Sequence, residues 1–424
     1  MVGTIIGASI FVQPSEITGQ VPSIPGVLLV WVVAGALTLA GALVTAELAS
    51  TFTRTGGVYV YLTAAFDPAV GFLWGWAMFW TMHSGIIAAI AVVFARYTGF
   101  FVPLSDVGIK TVAIAVILIL TAVNYVGVKQ GSRLQTAFTA VKLIAVLLII
   151  AFGFALGGKL PEHFVGSTTA SADLSLSSVL TALVAGLFAF GGWHMVTYNS
   201  EETVDPVRTI PRALILGTVI VTVCYVAMNA VYLYVLPLDA VSSSTRVAAD
   251  MADALIGSGG GAVMSGIVMF STFGALAGIV LAGPRVYYAM ARDGLLFRWV
   301  GGVHERFQTP HRAIVLQGIW ASILVATGTF RALFTRVIYT EWLFFGLMAL
   351  GLFVLRRRSD LTRRYSAWGY PVLPVLFAVC SFAIVINQLV TNTAESVVGL
   401  SLVLIGLPVY YLWARKGYVR PPTT

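Results

Sequence analysis

Two short glycine-interrupted stretches are the residues of this chain whose types and spacing point most directly to binding chemistry. Gly3–Phe11 reads GTIIGASIF, and Phe188–His194 reads FAFGGWH. Both lie in apolar runs, where lipid tolerates an unwound backbone only if protein or a water-filled cavity surrounds it. Interruptions at corresponding positions in two halves of a chain indicate a ligand site near the middle of the membrane. The alternative is close helix packing, because glycine is also common where membrane helices touch.

The composition places these stretches in a membrane protein. Hydrophobic residues make up 58% of the chain and charged residues 10%, whereas a soluble domain carries roughly 25% charged residues. The mean hydropathy is +0.92. Apolar runs of about 20 residues, the length that crosses a bilayer, predict twelve helices in one all-α membrane domain, residues 1–424. The predicted helices are 1–19, 26–50, 69–97, 109–127, 132–156, 176–202, 211–235, 259–291, 310–328, 333–355, 372–391 and 396–414.

The basic residues predict the orientation of these helices. Eighteen of the 25 lysines and arginines fall on the side of the amino terminus and six on the other side, so the positive-inside rule places both termini in the cytoplasm of a multi-pass cell-membrane protein. The first segment lacks a basic region and a cleavage pattern, so we expect a mature helix rather than a signal peptide. Met1 lies almost at the first interruption, and we expect a truncated or misassigned start.

Several motifs, in order along nearly the whole chain, resemble the amino acid-polyamine-organocation superfamily. They are Gly3–Phe11, Ala46–Leu48 with Thr55–Tyr59, Asn124–Lys129, Phe188–Trp193, Glu201–Glu202 with Asp205–Pro206 and Ile210–Arg212, and Ser271–Gly274 through Pro284–Tyr287 to Arg292–Gly294. The closest resemblance is to bacterial permeases of the L-type amino acid transporter branch. It implies the inverted five-plus-five repeat of the leucine-transporter type, with the first and sixth helices broken. The repeats would be 1–156 and 176–355, followed by two helices in 372–414.

The resemblance also implies how the two interruptions bind an amino acid. The amides of Gly7, Ala8 and Ser9 would hold the carboxylate, and free amides at a helix amino end suit an anion. Carbonyls of both interruptions would take the ammonium group, as unwound carbonyls take cations. The residues assigned to the ammonium group are Ile5, Ile6, Phe188 and Gly191, with Gly192 beside them. The family pattern Gly-Ser-Gly is Gly-Ala-Ser here, which leaves the substrate size accepted at Ser9 open.

Aromatic and polar residues near the interruptions are further candidates. The resemblance makes Phe188 the aromatic that closes over the substrate; the alternative is packing in the core or against lipid. His194 and His83 lie in membrane segments, where histidine usually faces the bundle interior, although a hydrogen-bonded core histidine is the alternative for each. Thr81 and Ser84 are weaker candidates of the same kind. Neither interruption contains an acidic residue, which favours neutral over cationic amino acids.

Lys142 is the most informative charge in the sequence. It lies nine residues beyond Arg133, about 14 Å along a helix, so its ammonium group would barely snorkel to the surface. A buried ammonium group is costly and should have partners. The resemblance implies that Lys142 replaces a sodium ion between the first and eighth helices, near carbonyls of Gly3–Ile6 and the hydroxyls of Ser271 or Thr272. The alternative is a lysine in a water-filled crevice without a coupling role.

Several interpretations remain possible for the other charged residues. Glu201, Glu202, Arg208 and Arg212 could form ion pairs of a cytoplasmic gate or remain solvated loop charges. Glu341 is the second candidate proton carrier after Lys142, since a carboxylate inside a membrane segment is a functional hypothesis. Glu47 lies near the inner end of the second helix. The run Arg356–Arg358 is interpreted as an anchor that sets the topology and faces lipid.

These observations favour a transporter over other classes. No nucleophile with a base and no metal-ligand cluster is apparent, so we expect no enzyme, cofactor or metal, and no motif of a channel filter is present. The expected function is sodium-independent exchange of neutral L-amino acids. Proton-coupled symport and uptake of cationic amino acids or polyamines stay open. The net charge of +8 is explained by the excess of basic residues on one side of the membrane and by their attraction to anionic lipid, so it is no evidence of nucleic-acid binding. The loop 97–110 has no cysteine, so we expect no disulfide-linked heavy-chain partner; the oligomeric state is open.

Overall fold

The chain is helical throughout the part that the computed structural model describes, residues 1–126, 131–157, 175–257, 259–328 and 330–415. In chain order the helices are α1 (Val2–Ile5), α2 (Gln13–Gln20), α3 (Ile24–Thr51), α4 (Val58–Ala65), α5 (Pro68–Thr98, with a π-helical turn at Met78–Met82), α6 (Asp106–Val126), α7 (Gly131–Leu156), α8 (Leu176–Ala189), α9 (Pro206–Val235), α10 (Leu238–Ser243), α11 (Val247–Ile256), α12 (Gly260–Arg292), α13 (His311–Thr327), α14 (Phe330–Arg356), α15 (Val372–Thr391), α16 (Thr393–Leu404) and α17 (Gly406–Arg415).

Ten segments in these ranges are long and apolar enough to cross a membrane. They comprise nine of the predicted helices and the α16–α17 pair that forms the last predicted helix, while α13 is apolar but shorter. The prediction of an all-α multi-pass membrane protein is thereby confirmed. Residues 158–174, between the predicted helices 132–156 and 176–202, lie outside the described residues, as does Lys129 of the Asn124–Lys129 motif.

Four short helical elements differ from the sequence prediction. Helix α4 follows Gly57, whose φ of +53° favours glycine. Helices α10 and α11 lie between the predicted helices 211–235 and 259–291. Helix α11 buries Val247, Ala248, Met251 and Ala252 on one face, a helical spacing, but it is too short to cross a membrane. The second half of predicted helix 176–202 is a 3₁₀ helix, Trp193–Glu202.

Helices α5 and α8 form the centre of the bundle, and α6 and α7 lie at its edge. In the most apolar part of α5, 83% of the residues are buried, against 28% for α6 and 22% for α7. A helix that is apolar all round and buried belongs to the core of a large protein, whereas lipid covers an exposed apolar face. The short α1 packs against α7, α9 and α12, which places the first interruption inside the bundle.

Ion pairs mark the end of the molecule at which the sequence predicts most of the lysines and arginines. At this end Arg54 pairs with Asp293, and Arg356 forms two hydrogen bonds of 2.8 and 2.6 Å with Glu47. We call this the basic end. The opposite end brings together the end of α2, the end of α5 and the segment after α10.

Candidate functional site

The first interruption separates α1 from α2 and lies between two other helices. Helix α1 ends at Ile5, and the chain turns through Ile6–Ala8 before a 3₁₀ turn at Ser9–Phe11. Glycine lets the backbone of this segment approach the helices on both sides closely. A Cβ atom on Gly3 would lie 2.0 Å from the Thr139 hydroxyl of α7, and one on Gly7 would lie 3.3 Å from the Ala275 side chain of α12.

The second interruption follows α8 and lies directly beside the first. Helix α8 ends at Ala189, and Gly192 has a φ of +91°, a conformation that residues with a side chain rarely adopt. A Cβ atom on Gly192 would lie 3.6 Å from the carbonyl oxygen of Thr4, next to the first interruption. Two unwound segments that are distant in sequence are therefore neighbours in space.

A small cavity lies between the two interruptions. Its volume is about 10 Å³, roughly the space of one water molecule, so a substrate requires the two segments to separate. Six of the predicted binding residues line it, namely Ile5, Gly7, Ser9, Phe188, Gly191 and Gly192. The lining adds residues that the sequence did not single out: Thr4, Ile86, Ile90, Ala189, Met195 and Ile279. The predicted residues outside the described lining are Ile6, Ala8, His83 and His194.

Three successive amides in the first interruption can accept an anion. The N–H groups of Gly7, Ala8 and Ser9 have no backbone acceptor among the described residues. Ala8 is fully buried, and Ser9 is 6% exposed. Successive free amides form a concave anion site, and a buried amide without a partner is costly. The predicted carboxylate site therefore has the donors that it needs.

Tyr225 of α9 joins the two interruptions, which the sequence analysis did not predict. Its hydroxyl lies 2.8 Å from the Ile5 carbonyl oxygen, to which it donates, and 3.1 Å from the Ala189 carbonyl oxygen. These are the last residues of α1 and α8, where helices leave carbonyls without partners. Trp31 and Phe190 pack against its ring with centroids 5.4 and 5.1 Å away.

Lys142 of α7 contacts α1. Its ammonium group donates to the Gly3 carbonyl oxygen over 3.4 Å, and the residue is only 3% exposed. Ser271 and Thr272 precede Ala275 by one helical turn, on the face of α12 that meets Gly7. Their hydroxyls are buried and have no hydrogen-bond partner within the described part of the chain. The three residues thus flank the α1 segment from α7 and α12.

His83 lies behind the cavity wall and braces a proline-containing helix. Pro284 in α12 has no amide hydrogen, so the carbonyl of Val280, four residues earlier, loses its helical partner. Gln317 of α13 donates to this carbonyl over 3.1 Å, and His83 donates from Nε2 to the carbonyl of Ile279 over 2.8 Å. Since Ile279 lines the cavity, His83 positions a lining residue. Neither Thr81 nor Ser84 lines the cavity; Thr81 donates over 2.9 Å to Ala77 of its own helix.

His194 is enclosed by aromatic rings. The rings of Trp74, Trp193, Tyr198 and Phe345 lie with centroids 4.9 to 5.8 Å from its own. The residue is 1% exposed, and its Nδ1 atom has no described hydrogen-bond partner. In this arrangement His194 packs beneath the second interruption rather than along the cavity.

The remaining predicted charges lie away from the cavity. Glu202 bonds to Arg285 of α12 over 3.1 and 3.3 Å, while Arg208 pairs locally with Asp205 at 3.9 Å. The Glu202 pair connects the 3₁₀ helix to α12 at the basic end. Glu201 is exposed and forms no ion pair with a described residue. Glu341 of α14 is 3% exposed, within electrostatic range of Tyr198.

Ten apolar spans define a multi-pass helical membrane protein, and two interrupted segments enclose a small internal cavity within it. The chain belongs to the amino acid permease family, whose model matches residues 1–411. This membership confirms the resemblance seen in the sequence motifs. Permeases are transporters, not enzymes.

Individual relatives cover almost the whole chain. The human b(0,+)-type amino acid transporter 1 is 33% identical over 98% of this chain and 88% of its own length. The serine/threonine exchanger SteT of Bacillus subtilis (strain 168) is also 33% identical, over 97% of this chain and 94% of its own. The human large neutral amino acids transporter small subunit 2 is 31% identical over 98% of this chain and 79% of its own length. The similarity therefore includes both interruptions.

Proposed function

We propose that the protein exchanges neutral L-amino acids across the cell membrane by alternating access, without sodium. The observation that carries this proposal is the cavity between the two interruptions, which is lined by Gly7 and Ser9 of the segment with three free amides. The names of the relatives, among them a serine/threonine exchanger and a large neutral amino acids transporter, support amino acid exchange.

The proposed topology has twelve membrane helices. Residues 1–156 and 176–355 form two inverted five-helix repeats, with broken first and sixth helices, and 372–414 forms the last two helices. The ten long spans, α13 and the interrupted α1–α2 segment support this count. Both termini face the cytoplasm in this proposal, since the basic end then lies inside.

In the proposed complex the substrate carboxylate accepts hydrogen bonds from the amides of Gly7–Ser9. The ammonium group donates to carbonyls at Ile5, Ile6, Phe188 and Gly191. Because Tyr225 already donates to the Ile5 carbonyl, the ammonium group has to share or displace this hydrogen bond. Phe188, in the last turn of α8, closes the cavity from outside.

A neutral side chain fits the cavity best. No acidic or basic residue is among its described lining residues, which are apolar apart from Thr4, Ser9 and the backbone. A cationic side chain would enter a low-dielectric space without a counter-charge, which is costly. Cationic amino acids and polyamines are therefore the weaker alternative.

Lys142 supplies the argument for sodium independence. Its ammonium group already places a positive charge between α7 and α1, at Gly3, and the family resemblance implies that this charge replaces a sodium ion. A permanently charged Lys142 leaves exchange as the mechanism. If its ammonium group loses a proton in each cycle, or if Glu341 carries one, the protein is a proton symporter; the assay below separates these cases.

The test is uptake of labelled amino acids by purified protein in liposomes. We expect uptake only into liposomes preloaded with an unlabelled neutral amino acid, and equal rates in sodium and choline buffers. Uptake that requires a sodium gradient would overturn the proposal. Uptake into empty liposomes driven by an inward proton gradient would establish symport instead, and preference for arginine or putrescine would establish the cationic alternative. Protein-free liposomes are the control.

The protein is proposed to work without a disulfide-linked partner. Cys224 is buried and Cys380 half-buried, both are free thiols, and both lie in membrane helices. Activity of the single purified chain in the same liposomes tests this point.

A further inference from the structure

An irregular segment, Arg357–Pro371, connects α14 to α15 at the basic end, and we call it the strap. It contains four arginines and one acidic residue, Asp360. Both helices that it connects are long and apolar enough to cross a membrane. The strap therefore lies where the bilayer surface begins, with an excess of positive charge.

The strap is fastened to the end of α3 by two of its backbone amides. The amide of Ala367 donates to Glu47 Oε2 over 2.6 Å, and the amide of Tyr365 donates to Ser50 Oγ over 3.2 Å. Ala367 is buried, as is Glu47. These bonds give the backbone of the strap a defined course, so its exposed side chains are presented from a supported segment.

Three exposed arginines of the strap have no counter-charge among the residues that the structure describes: Arg357, Arg363 and Arg364. Arg363 donates over 3.3 Å to the carbonyl of the last residue of α14, which is neutral and takes only one of its five N–H groups. A guanidinium group presents a planar fork of donors that matches a phosphate group. The three arginines can therefore accept an anionic ligand.

An exposed apolar stripe begins next to these arginines and continues along α15. Val372, Val375, Leu376 and Val379 are 47% to 72% exposed, and their spacing places them on one face of the helix. Trp368 is 77% exposed and precedes this stripe by four residues. Along the chain, the surface thus changes from guanidinium groups to an indole ring and then to aliphatic side chains.

This order matches the profile of an anionic phospholipid. Arginine pairs with the phosphate, tryptophan favours the level of the headgroups, and an exposed aliphatic face packs against acyl chains. A soluble anion would contact only the arginines. A zwitterionic lipid would leave the positive charge of the strap uncompensated, whereas an anionic lipid is attracted to basic residues beside a membrane helix.

We infer that Arg357, Arg363, Arg364 and Trp368 form a site for an anionic phospholipid, whose acyl chains lie along the exposed face of α15. The site goes beyond the proposed function, because it does not depend on what is transported. It also changes the interpretation of the run Arg356–Arg358, whose first and last members pair with carboxylates. In the proposed orientation the lipid belongs to the inner leaflet.

The test measures how strongly the site enriches an anionic lipid over the bulk bilayer. The protein is reconstituted in phosphatidylcholine vesicles with a rising fraction of phosphatidylglycerol whose brominated acyl chains quench a tryptophan that they touch. The signal of Trp368 is the difference between the wild type and Trp368→Phe. We expect half of the maximal quenching when the ratio of phosphatidylglycerol to phosphatidylcholine is about fivefold or more below one, because each basic residue near anionic lipid contributes a factor of about five.

A charge-matched control separates this site from the general positive charge of the basic end. Arg357→Gln/Arg364→Gln should raise the ratio for half-quenching about fivefold or more. Arg298→Gln/Arg306→Gln removes two exposed arginines between α12 and α13 and should leave the ratio within twofold. Quenching of the wild type in proportion to the bulk lipid, equal shifts in both double variants, or no quenching of Trp368 by any brominated lipid would overturn the inference.

A measurement without arginine variants covers the case in which they do not fold. It needs only the wild type and Trp368→Phe, and compares salt concentrations of about 0.1 and about 1 M, which shorten the Debye length from about 10 to about 3 Å. High salt should move the ratio for half-quenching by phosphatidylglycerol toward one. Quenching by brominated phosphatidylcholine in vesicles of that lipid alone should not change. A ratio that salt leaves unchanged would contradict a headgroup bound by exposed arginines.

Discussion

The hydroxyl of Tyr225 provides the sharpest test of how the two interruptions are held together. It is a single donor that lies 2.8 and 3.1 Å from the terminal carbonyls of α1 and α8, and the residue is 1% exposed. Tyr225→Phe removes this oxygen and keeps the ring that packs against Trp31. The perturbation is therefore limited to the two hydrogen-bond contacts.

The expected size of the effect follows from burial. A buried acceptor that loses its donor costs about 1–3 kcal/mol, against about 1 kcal/mol for a hydrogen bond that water can replace. Ile5 is 2% exposed and Ala189 1%. The larger cost, that of an unsatisfied buried carbonyl, therefore applies unless a water molecule takes the place of the hydroxyl. The free energy that holds the interruptions together should fall by about 1–3 kcal/mol. The apparent melting temperature in detergent should fall with it.

Tyr232 is the matched control on the same helix. It is also fully buried, but its hydroxyl has no hydrogen-bond partner among the described residues. Tyr232→Phe should leave stability unchanged or raise it, since it removes an unsatisfied buried group. The assay is thermal unfolding of both variants with and without saturating amino acid, followed by exchange in liposomes. Equal melting temperatures for Tyr225→Phe and Tyr232→Phe would refute the reasoning.

Three further predictions address other parts of the site. Gly192→Ala should impair exchange at unchanged expression, because a residue with a side chain adopts a φ of +91° only at a cost of about 1 kcal/mol or more. The control is Gly257→Ala, at a glycine with a φ of +81° and no atom close to the added Cβ. Equal exchange rates for the two variants would contradict the role of the interruption. Lys142→Ala should leave the protein folded but slow exchange about tenfold, the value of one charged hydrogen bond; unchanged kinetics would exclude the assigned role. Glu47→Gln should lower stability by about 3–5 kcal/mol, because it breaks a buried ion pair, whereas Asp360→Asn, in an exposed pair, should have little effect on the melting temperature.

Local sequence patterns predicted those features of the structure that depend on residues close together in the sequence. Glycine at 7, 191 and 192 marks both interruptions, since a backbone that leaves the helix needs small residues at the turn and at the contact. The contact of Lys142 with Gly3 was also foreseen, on the cost of a buried ammonium group together with the family resemblance. Of the predicted residues that line the cavity, Gly7, Gly191 and Gly192 are marked by the glycine pattern, whereas Ile5, Ser9 and Phe188 were assigned from the family resemblance.

Contacts between distant parts of the chain were not predictable in this way. Arg356 belongs to a run of arginines that was interpreted as facing lipid, yet its guanidinium bonds to Glu47, 309 positions away in the sequence. Tyr225 acts on a carbonyl 220 positions away. A lone tyrosine in an apolar helix is a weak sign of such a contact, because its hydroxyl needs a partner when buried, but nothing local identifies the partner.

The interactions of α1 suggest why both Tyr225 and Lys142 matter. Tyr225 donates to the carbonyl of Ile5 from α9, and Lys142 donates to the carbonyl of Gly3 from α7. A helix of four residues makes few internal hydrogen bonds and is marginal by itself, so contacts with neighbouring helices determine its position. The inner cavity can widen only if α1 or the second interruption moves, and a movement of α1 has to release at least one of these two donors. Substrate carboxylate and ammonium groups offer new partners to the same unwound segment, which provides a physical reason for coupling between binding and opening.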